Sequence, residues 1–406
     1  MTVYNRLQKV AAVLVGTTLF VSGSFKLMDP VGTGLIVDEY WKLFHLGFMA
    51  PTSEVTGLAL SLTEALLGVA LVTGLFRKTV RIAAASLVGF FTIITVILVI
   101  VNPAMDCGCF GQWIHLSHTA SLLKNLVLLA LCAVFLFPKV EAPSRKPRYV
   151  AAGLITAAVL FGTVWSLLYI PVEDYTEFAP GIELTAAQEF DAEDLPEPRF
   201  LYTRDGETES FALSETEAAE KDGWTYVDAD TPARPALPVP DHIVSLPFLD
   251  REDRPADTLA VRGAVMVVSV YAGARMQDRQ WEKTAAFLRD AAGAGFRPLL
   301  LVDEPLADLD ARLAFLPAED LRLLQDCSYQ ADRRKLLALN RDNGGASYFA
   351  DGMLVEKWAR RDLPDKEKLG SVLAESPVER MMVSDTEGRV ALHGYFLFAL
   401  AVALLL

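Results

Sequence analysis

The sequence lacks the excess of lysine and arginine that nucleic-acid-binding proteins carry. It has 37 basic and 51 acidic side chains, a formal net charge of −14, which excludes nucleic acid as a partner. A mean hydropathy of +0.31 with only 22% charged residues argues against a wholly soluble chain. Residues 1–170 hold 12 basic and 7 acidic residues, a net charge of +5. The remaining residues hold 25 basic and 44 acidic side chains, a net charge of −19. This split indicates a mildly basic membrane part followed by an acidic, water-facing part.

No small-residue cleavage site follows the first apolar run, so we interpret that run as an uncleaved membrane span. A further run, Ala391–Leu406, is short for a span and lacks a charged tail, and it is the candidate for a sixth span. Five earlier runs each approach the roughly 20 residues that cross a bilayer as a helix. They are Val10–Leu27, Leu58–Leu75, Val80–Val101, Leu122–Phe137 and Tyr149–Ile170.

Lysine and arginine cluster before span one, between spans two and three, and between spans four and five. Because such loops face the cytoplasm, residues 28–57, the loop around Cys107 and residues 171 to about 389 are expected on the opposite side. In a bacterium this describes a multi-pass inner-membrane protein with a periplasmic soluble domain, where thiols can be oxidised. The clustered residues are Arg6, Lys9, Arg77, Lys78, Arg81, Lys139, Arg145, Lys146 and Arg148.

Beyond the spans, residues 171–240 predict a small β-rich segment with a hairpin at Arg199–Leu213, followed by a proline-rich linker at Pro232, Pro235, Pro238 and Pro240. Residues 241–375 predict an α/β domain that runs strand–helix–strand and then helix–strand–strand, the order of a thioredoxin-like domain. Its predicted elements are strands Ile243–Leu249, Ala264–Tyr271 and Arg297–Val302, helix Asp278–Ala292, a short helix closing at Leu336–Asn340, and a hairpin of Tyr348–Phe349 and Met353–Trp358.

The α/β domain has no sulfur where a thioredoxin carries its Cys-x-x-Cys. The junction of the first central strand and its helix reads Tyr271-Ala272-Gly273-Ala274-Arg275-Met276, and Asn343-Gly344-Gly345 stands where a cis-proline would precede the hairpin. Neither half of a dithiol mechanism is present. We therefore expect a degenerate binding or scaffolding module.

The close cysteine pair is Cys107-Gly108-Cys109, followed by Phe110-Gly111. Three interpretations compete: a redox-active pair, a static bridge that pins the loop, and a metal site completed by His115 and His118. The spacing Cys-x-Cys-x5-His-x2-His matches no standard zinc pattern, so no metal is predicted. The other two cysteines, Cys132 and Cys327, are expected to be packed, inert thiols.

Five ionisable or polar residues lie within or beside the spans. Glu64 in span two is either a functional carboxylate or a hydrogen-bond partner of another helix, and a small-molecule or ion pathway around it is a further hypothesis. Lys26 and Asp29 are expected to extend toward the membrane surface. Lys124 and Asn125 follow the cysteine pair closely enough to bond to its loop, where an ammonium group would lower a thiol pKa.

Residues 1–140 resemble the DoxX/MauE-type membrane family. The resemblance rests on Ser22-Gly23-Ser24-Phe25-Lys26 with Asp29-Pro30, Tyr40-Trp41, Glu64 with Gly68, Cys107-Gly108-Cys109-Phe110-Gly111, and Lys124-Asn125. The remainder resembles a subgroup that appends a thioredoxin-like periplasmic domain, in which a proline usually follows the asparagine; Gly344 departs from that pattern. The resemblance implies a four-helix core with a periplasmic Cys-rich loop. It also implies a role in the maturation of methylamine dehydrogenase, in which the protein helps a thioredoxin-like partner to form or rearrange disulfides.

The expected architecture is a membrane α-helical bundle with a soluble α/β thioredoxin-like domain. Its segments are the four-helix membrane domain (1–140), a fifth span (149–170), the β-rich segment with its linker (171–240), the α/β domain (241–375) and the candidate sixth span (391–406). Carried over from the resemblance, Cys107 and Cys109 are the redox pair, with Glu64 and Lys124 as supporting residues. The expected function is a thiol–disulfide exchange or maturation accessory acting on a periplasmic thiol protein or a maturing protein. The alternative is a non-catalytic assembly or binding scaffold with a structural cysteine pair. No cofactor is predicted. A quinone is compatible with the sequence but cannot be deduced from it, because a quinone pocket has no short sequence signature.

Overall fold

The computed structural model describes residues 3–103, 105, 107–112, 114, 116–136, 148–171, 176–185, 199–204, 207–212, 216, 223–230 and 243–383. Several predicted features lie outside these residues. They are the candidate sixth span at 391–406, the proline-rich linker, the loop that carries Lys139, Arg145 and Lys146, and His115.

All five predicted spans are confirmed as helices long and apolar enough to cross a membrane. The chain is therefore a multi-pass membrane protein with an α/β domain after its last described span. The five helices are α1 (Val3–Met28), α3 (Ser53–Thr73), α4 (Arg77–Val101), α5 (His118–Leu136) and α6 (Tyr149–Leu168), with α2 (Pro30–Leu43) between the first two.

The closest helix crossing joins α1 to α3. A Cβ atom added at Gly68 of α3 would lie 2.5 Å from the backbone nitrogen of Phe20 in α1. Only glycine permits this approach, and small residues are the usual means by which membrane helices pack without a hydrophobic driving force. The contact fixes the spacing of the two helices that carry Lys26 and Glu64.

Helix α2 was not predicted, although the sequence carries its start signal. Asp29 is the N-cap and accepts a hydrogen bond from the backbone N–H of Gly32 at 2.8 Å, and Pro30 occupies the first helical position. The expectation that Asp29 extends to the membrane surface is wrong, because it is buried and also pairs with Arg341 of the α/β domain at 2.9 Å. Val31 and Leu35 of α2 pack against that domain's core. Helix α2 therefore connects the membrane bundle to the α/β domain.

The α/β domain is built on a curled, mixed sheet of eight strands in the order β6-β2-β12-β11-β8-β9-β10-β7. Strand β8 runs parallel to β9 and antiparallel to β11, which in turn is antiparallel to β12. The strands are β2 (Glu183–Leu184), β6 (Ile243–Val244), β7 (Phe248–Leu249), β8 (Ala264–Val270), β9 (Arg297–Val302), β10 (Ser328–Ala331), β11 (Gly345–Ala350) and β12 (Met353–Trp358). The order of β8, β9, β11 and β12 agrees with the predicted elements, while the thioredoxin-like identity of the domain stays a prediction.

The prediction of one continuous strand at Ile243–Leu249 is wrong. This segment forms two short strands, β6 and β7, which lie at opposite edges of the sheet. Pro247 stands between them, and proline cannot donate a hydrogen bond to a sheet ladder. The chain therefore leaves one edge and joins the other.

Helices cover both faces of the sheet. Met266, Val268 and Val270 of β8 face one core, and Val265 and Val267 face the other, as the two-residue period of a strand requires. The helices are α7 (Asp278–Ala294), α8 (Leu306–Leu313), α9 (Ala318–Cys327), α10 (Arg333–Leu339) and α11 (Lys366–Ala374). Helices α8 and α9 and strand β10 were not predicted.

The predicted hairpin at Arg199–Leu213 is confirmed as β3 (Arg199–Arg204) paired with β4 (Glu207–Ala212), and β5 (Thr225–Asp230) completes a three-stranded sheet. Strand β1 (Cys109–Gln112) belongs to the loop between α4 and α5.

The ion pair between Arg341 and Asp29 is expected to stabilise the contact of the two domains. Arg341→Met leaves the buried Asp29 carboxylate without its cation, at a cost of about 3–5 kcal/mol. Arg334→Met removes an exposed pair with Glu39 and should cost at most about 1 kcal/mol. The midpoint of thermal unfolding in detergent measures both, and equal effects of the two substitutions would contradict the assignment.

Candidate functional site

The Cys107–Cys109 loop closes the end of the bundle where α2 lies. Its two Sγ atoms are 2.9 Å apart, longer than the about 2.05 Å of a disulfide bond, and both residues are free thiols. Gly108 between them has a φ of +64°, and a Cβ there would meet Cγ2 of Ile36 at 2.6 Å. The turn that brings the sulfurs together therefore requires glycine.

Three helices hold this loop in place. The hydroxyl of Ser22 in α1 donates to the carbonyl oxygen of Cys109, and the hydroxyl of Tyr40 in α2 donates to that of Cys107 at 2.8 Å. Nε2 of His118 in α5 bonds to the carbonyl oxygen of Met105 at 2.9 Å. Because each anchor comes from a different helix, the positions of the sulfurs depend on the packing of the bundle.

A buried ion pair lies beneath the loop. Nζ of Lys26 is 2.6 Å from Oε2 of Glu64, with the two side chains 8% and 3% exposed, and the ammonium group also lies 5.0 Å from the ring centroid of Phe91. The expectation that Lys26 extends to the membrane surface is wrong, because Glu64 neutralises it inside the bundle. Of the two interpretations of Glu64, the structure shows the bond to another helix.

Lys124 lies beside the cysteine pair, whereas Asn125 does not. Nζ of Lys124 is 4.8 Å from the ring centroid of Phe110 and interacts electrostatically with Cys109. The expected bond from Asn125 to the loop is wrong. Its amide donates to Phe91 O at 3.2 Å and Thr95 Oγ1 at 3.1 Å in α4, because consecutive helical residues point about 100° apart.

The two thiols differ in acidity. The pKa of Cys109 is lowered to about 5, first because its sulfur accepts a hydrogen bond from Cys107 and then because Lys124 and Lys26 place positive charge nearby, while burial opposes the shift. The same hydrogen bond and burial raise the pKa of Cys107. The lowered pKa makes Cys109 the more nucleophilic of the two sulfurs in the reduced pair. Cys109 is also the more exposed of the two.

The other described cysteines are buried and isolated. Cys132 is packed among α1, α4 and α5, and burial raises the pKa of Cys327 to about 12. Within the described residues, no three His, Cys, Asp or Glu side chains are grouped so that they could hold a metal ion.

The sulfur-free junction after β8 is closed by an asparagine. The Asn343 side chain accepts from the N–H of Ala272 and donates to its carbonyl oxygen, both at 3.0 Å. Arg275 in the same junction pairs with Glu54 of α3 at 3.0 Å. This end of the α/β domain therefore faces the membrane domain.

Sequence reasoning missed the hydrogen bonds by which Ser22 and Tyr40 hold the cysteine loop. Both lie in segments that carried the resemblance, but a hydroxyl that bonds to a distant backbone carbonyl leaves no local pattern. It also missed an apolar cavity of about 160 Å³ next to the cysteine pair, because the wall of the cavity is assembled from five helices and the cysteine loop.

Residues 4–138 match the family described as "Methylamine utilisation protein MauE". No curated protein and no solved structure gives a significant match.

The acidity of Cys109 is expected to depend on the charge of Lys124. In the reduced protein, alkylation of Cys109 by iodoacetamide should fall only as the pH drops through about 5, because the thiolate is the reactive form. Lys124→Met should move this transition upward, toward the ordinary thiol pKa near 8.5, and Lys124→Arg should not. Peptide mass spectrometry across pH measures the rate, and identical profiles for the two variants would contradict the role of the charge.

The turn at Gly108 is expected to tolerate no side chain. Gly108→Ala should destabilise the protein by about 1 kcal/mol or more, since it forces a left-handed backbone and a clash with Ile36. Gly89→Ala in α4 is the matched control, because a Cβ there meets nothing within 4 Å, and it should be neutral or stabilising. Thermal unfolding midpoints compare the two, and a tolerated alanine at position 108 would refute the requirement.

Proposed function

Because residues 4–138 form a membrane domain of the MauE type, we propose that the chain is a thiol–disulfide exchange component that oxidises the dithiol of a maturing or thiol-carrying partner. The observation that carries the proposal is the cysteine pair itself: sulfurs 2.9 Å apart, with the more exposed Cys109 beside Lys124, which lowers its pKa. The clustering of Lys and Arg in alternate loops supports a bacterial inner-membrane location with the pair on the periplasmic side.

The exchange begins with the pair as a disulfide. A partner thiolate attacks Sγ of Cys109, the more accessible sulfur, and the Cys107–Cys109 bond breaks. The electron pair goes to Cys107, whose raised pKa makes it take up a proton. The intermediate is a mixed disulfide between the partner and Cys109.

The partner's second thiolate then attacks the partner sulfur of the mixed disulfide. Cys109 leaves as a thiolate, which its low pKa makes a good leaving group. The partner gains a disulfide and loses two electrons and two protons. Cys107 keeps one proton, and the other goes to water.

The α/β domain supplies no sulfur to these steps. Asn343 fills the position near Ala272, and the described cysteine of this domain, Cys327, is buried. Its contacts to α2 and α3 support a role in holding the partner near the loop. The alternative function, a scaffold with a static cysteine pair, shares this docking role but forbids exchange at Cys109.

Equilibration of the full-length protein with glutathione distinguishes exchange from a static pair. The wild type should switch between dithiol and Cys107–Cys109 disulfide as the ratio of reduced to oxidised glutathione changes. Near pH 6, soon after oxidised glutathione is added, Cys107→Ser should rapidly form a glutathione adduct on Cys109, which no second thiol resolves. Cys109→Ser should form its adduct far more slowly, because the Cys107 thiol is protonated.

Acid quenching and intact mass spectrometry record these species, and Cys132→Ala and Cys327→Ala serve as controls that keep the pair. An internal disulfide that is absent at every glutathione ratio, or that persists unchanged at every ratio, would leave the scaffold function as the explanation. Equal initial rates of adduct formation in the two serine variants would contradict the assignment of Cys109 as the nucleophile.

A further inference from the structure

The apolar cavity beside the cysteine pair lies in the end of the bundle that carries the cysteine loop. Its wall combines residues of α1, α2, α3, α4 and α5 with the cysteine loop, and both cysteines and Gly108 form part of it. Most of the wall is apolar or aromatic, including Ile36, Tyr40, Trp41, Leu60, Phe91 and Ile94. A flat, apolar ring compound therefore fits this surface better than a polar molecule does.

The cavity reaches the lipid-facing surface of the bundle. Phe90 of α4 lines it and is 50% exposed. A compound dissolved in the bilayer can approach the sulfurs from this side without entering water. The water-facing approach to Cys109 stays available to a protein partner.

The wall also carries polar side chains. The indole Nε1 of Trp41 is buried and has no hydrogen-bond partner among the described residues, which is costly for a donor unless a ligand satisfies it. Lys26, Glu64 and Lys124 also line the cavity, and Glu64 offsets the charge of Lys26. A carbonyl oxygen that becomes negative on reduction would therefore be stabilised by Lys124.

We infer that the cavity binds a membrane-soluble benzoquinone, which accepts the two electrons that the cysteine pair takes from its partner. The inference rests on the proposed exchange function and supplies its terminal oxidant. The Cys107 S–H bond breaks and the Cys107–Cys109 bond forms, so that the two sulfurs lose two electrons. The quinone gains them with the Cys107 proton and one proton from water, and becomes the quinol.

Oxidation of the reduced protein by decylubiquinone tests the inference. In lipid nanodiscs, the full-length protein should form one quinol for each Cys107–Cys109 disulfide. Ile94→Trp fills the cavity and should lower kcat/KM by about tenfold or more, as overfilling a packed site does. Ile93→Trp is the matched control. The Ile93 side chain is 63% exposed on the outside of α4, so this variant should react as the wild type does.

Trp41→Phe keeps the ring and removes the N–H donor. It should raise KM for decylubiquinone by about fivefold, the worth of one hydrogen bond, and leave kcat nearly unchanged. Glutathione exchange at Cys109 is measured on every variant as a check of the fold and of the sulfur chemistry.

Glutathione exchange without quinol formation in the wild type would overturn the quinone site and leave the proposed function standing. Equal rates for Ile94→Trp and Ile93→Trp, with quinol still formed, would also overturn it, because the reaction would then occur elsewhere. Loss of both reactions in the wild type would remove the proposed function and the quinone site together.

Discussion

The ion pair of Lys26 and Glu64 is the interaction on which the rest of the membrane domain depends. Removing two charges from water is costly, and the pair offsets that cost only while α1 and α3 stay in register. Gly68 allows the close approach that this register requires. Ser22 lies one helical turn before Lys26 and donates to the carbonyl of Cys109. The position of the sulfur is thus fixed by the same helix that carries the buried cation.

Helix α2 transmits this arrangement to the α/β domain. One side of the helix contributes Tyr40 and Trp41 to the cysteine loop and the cavity, and the other contributes Val31 and Leu35 to the core of the α/β domain. The chain after residue 170 is strongly acidic as a whole, yet arginines from it meet acidic residues of the membrane part. These pairs are Arg341–Asp29, Arg334–Glu39 and Arg275–Glu54. Local charge complementarity therefore selects this contact. The pairing residues carry the opposite sign to the net charge of the part of the chain to which each belongs.

Features that depend on local patterns could be predicted from the sequence. Continuous apolar runs gave the five spans, alternation gave the β3–β4 hairpin, and the spacing of two cysteines around Gly108 gave the candidate site. Helix α2 could not be recognised from its apolar pattern, because its two sides are buried by different partners and no single apolar stripe appears. Asp29 directly before Pro30 is a recognisable N-cap signal for this helix, whereas we interpret Asp29 from the sequence as a charge at the membrane surface.

Long-range pairing explains the remaining errors. Lys26 looks like a residue at the end of a span until Glu64, 38 residues away, is placed beside it. Asn125 is next to Lys124 in sequence but faces α4 because of the helical rotation. The wall of the cavity comes from five helices and the cysteine loop, so no single segment carries its pattern. The acidity of Cys109 likewise arises from groups that the fold brings together.

The central claim is that Cys107 and Cys109 cycle between dithiol and disulfide in the membrane. Differential alkylation with light and heavy reagents, applied to native membranes before and after a reductant, measures the oxidised fraction of each cysteine by mass spectrometry. The account predicts a shared oxidised fraction at both positions that disappears with the reductant and returns after its removal. Cysteines that are fully alkylated before reduction and stay so after reoxidation would contradict it.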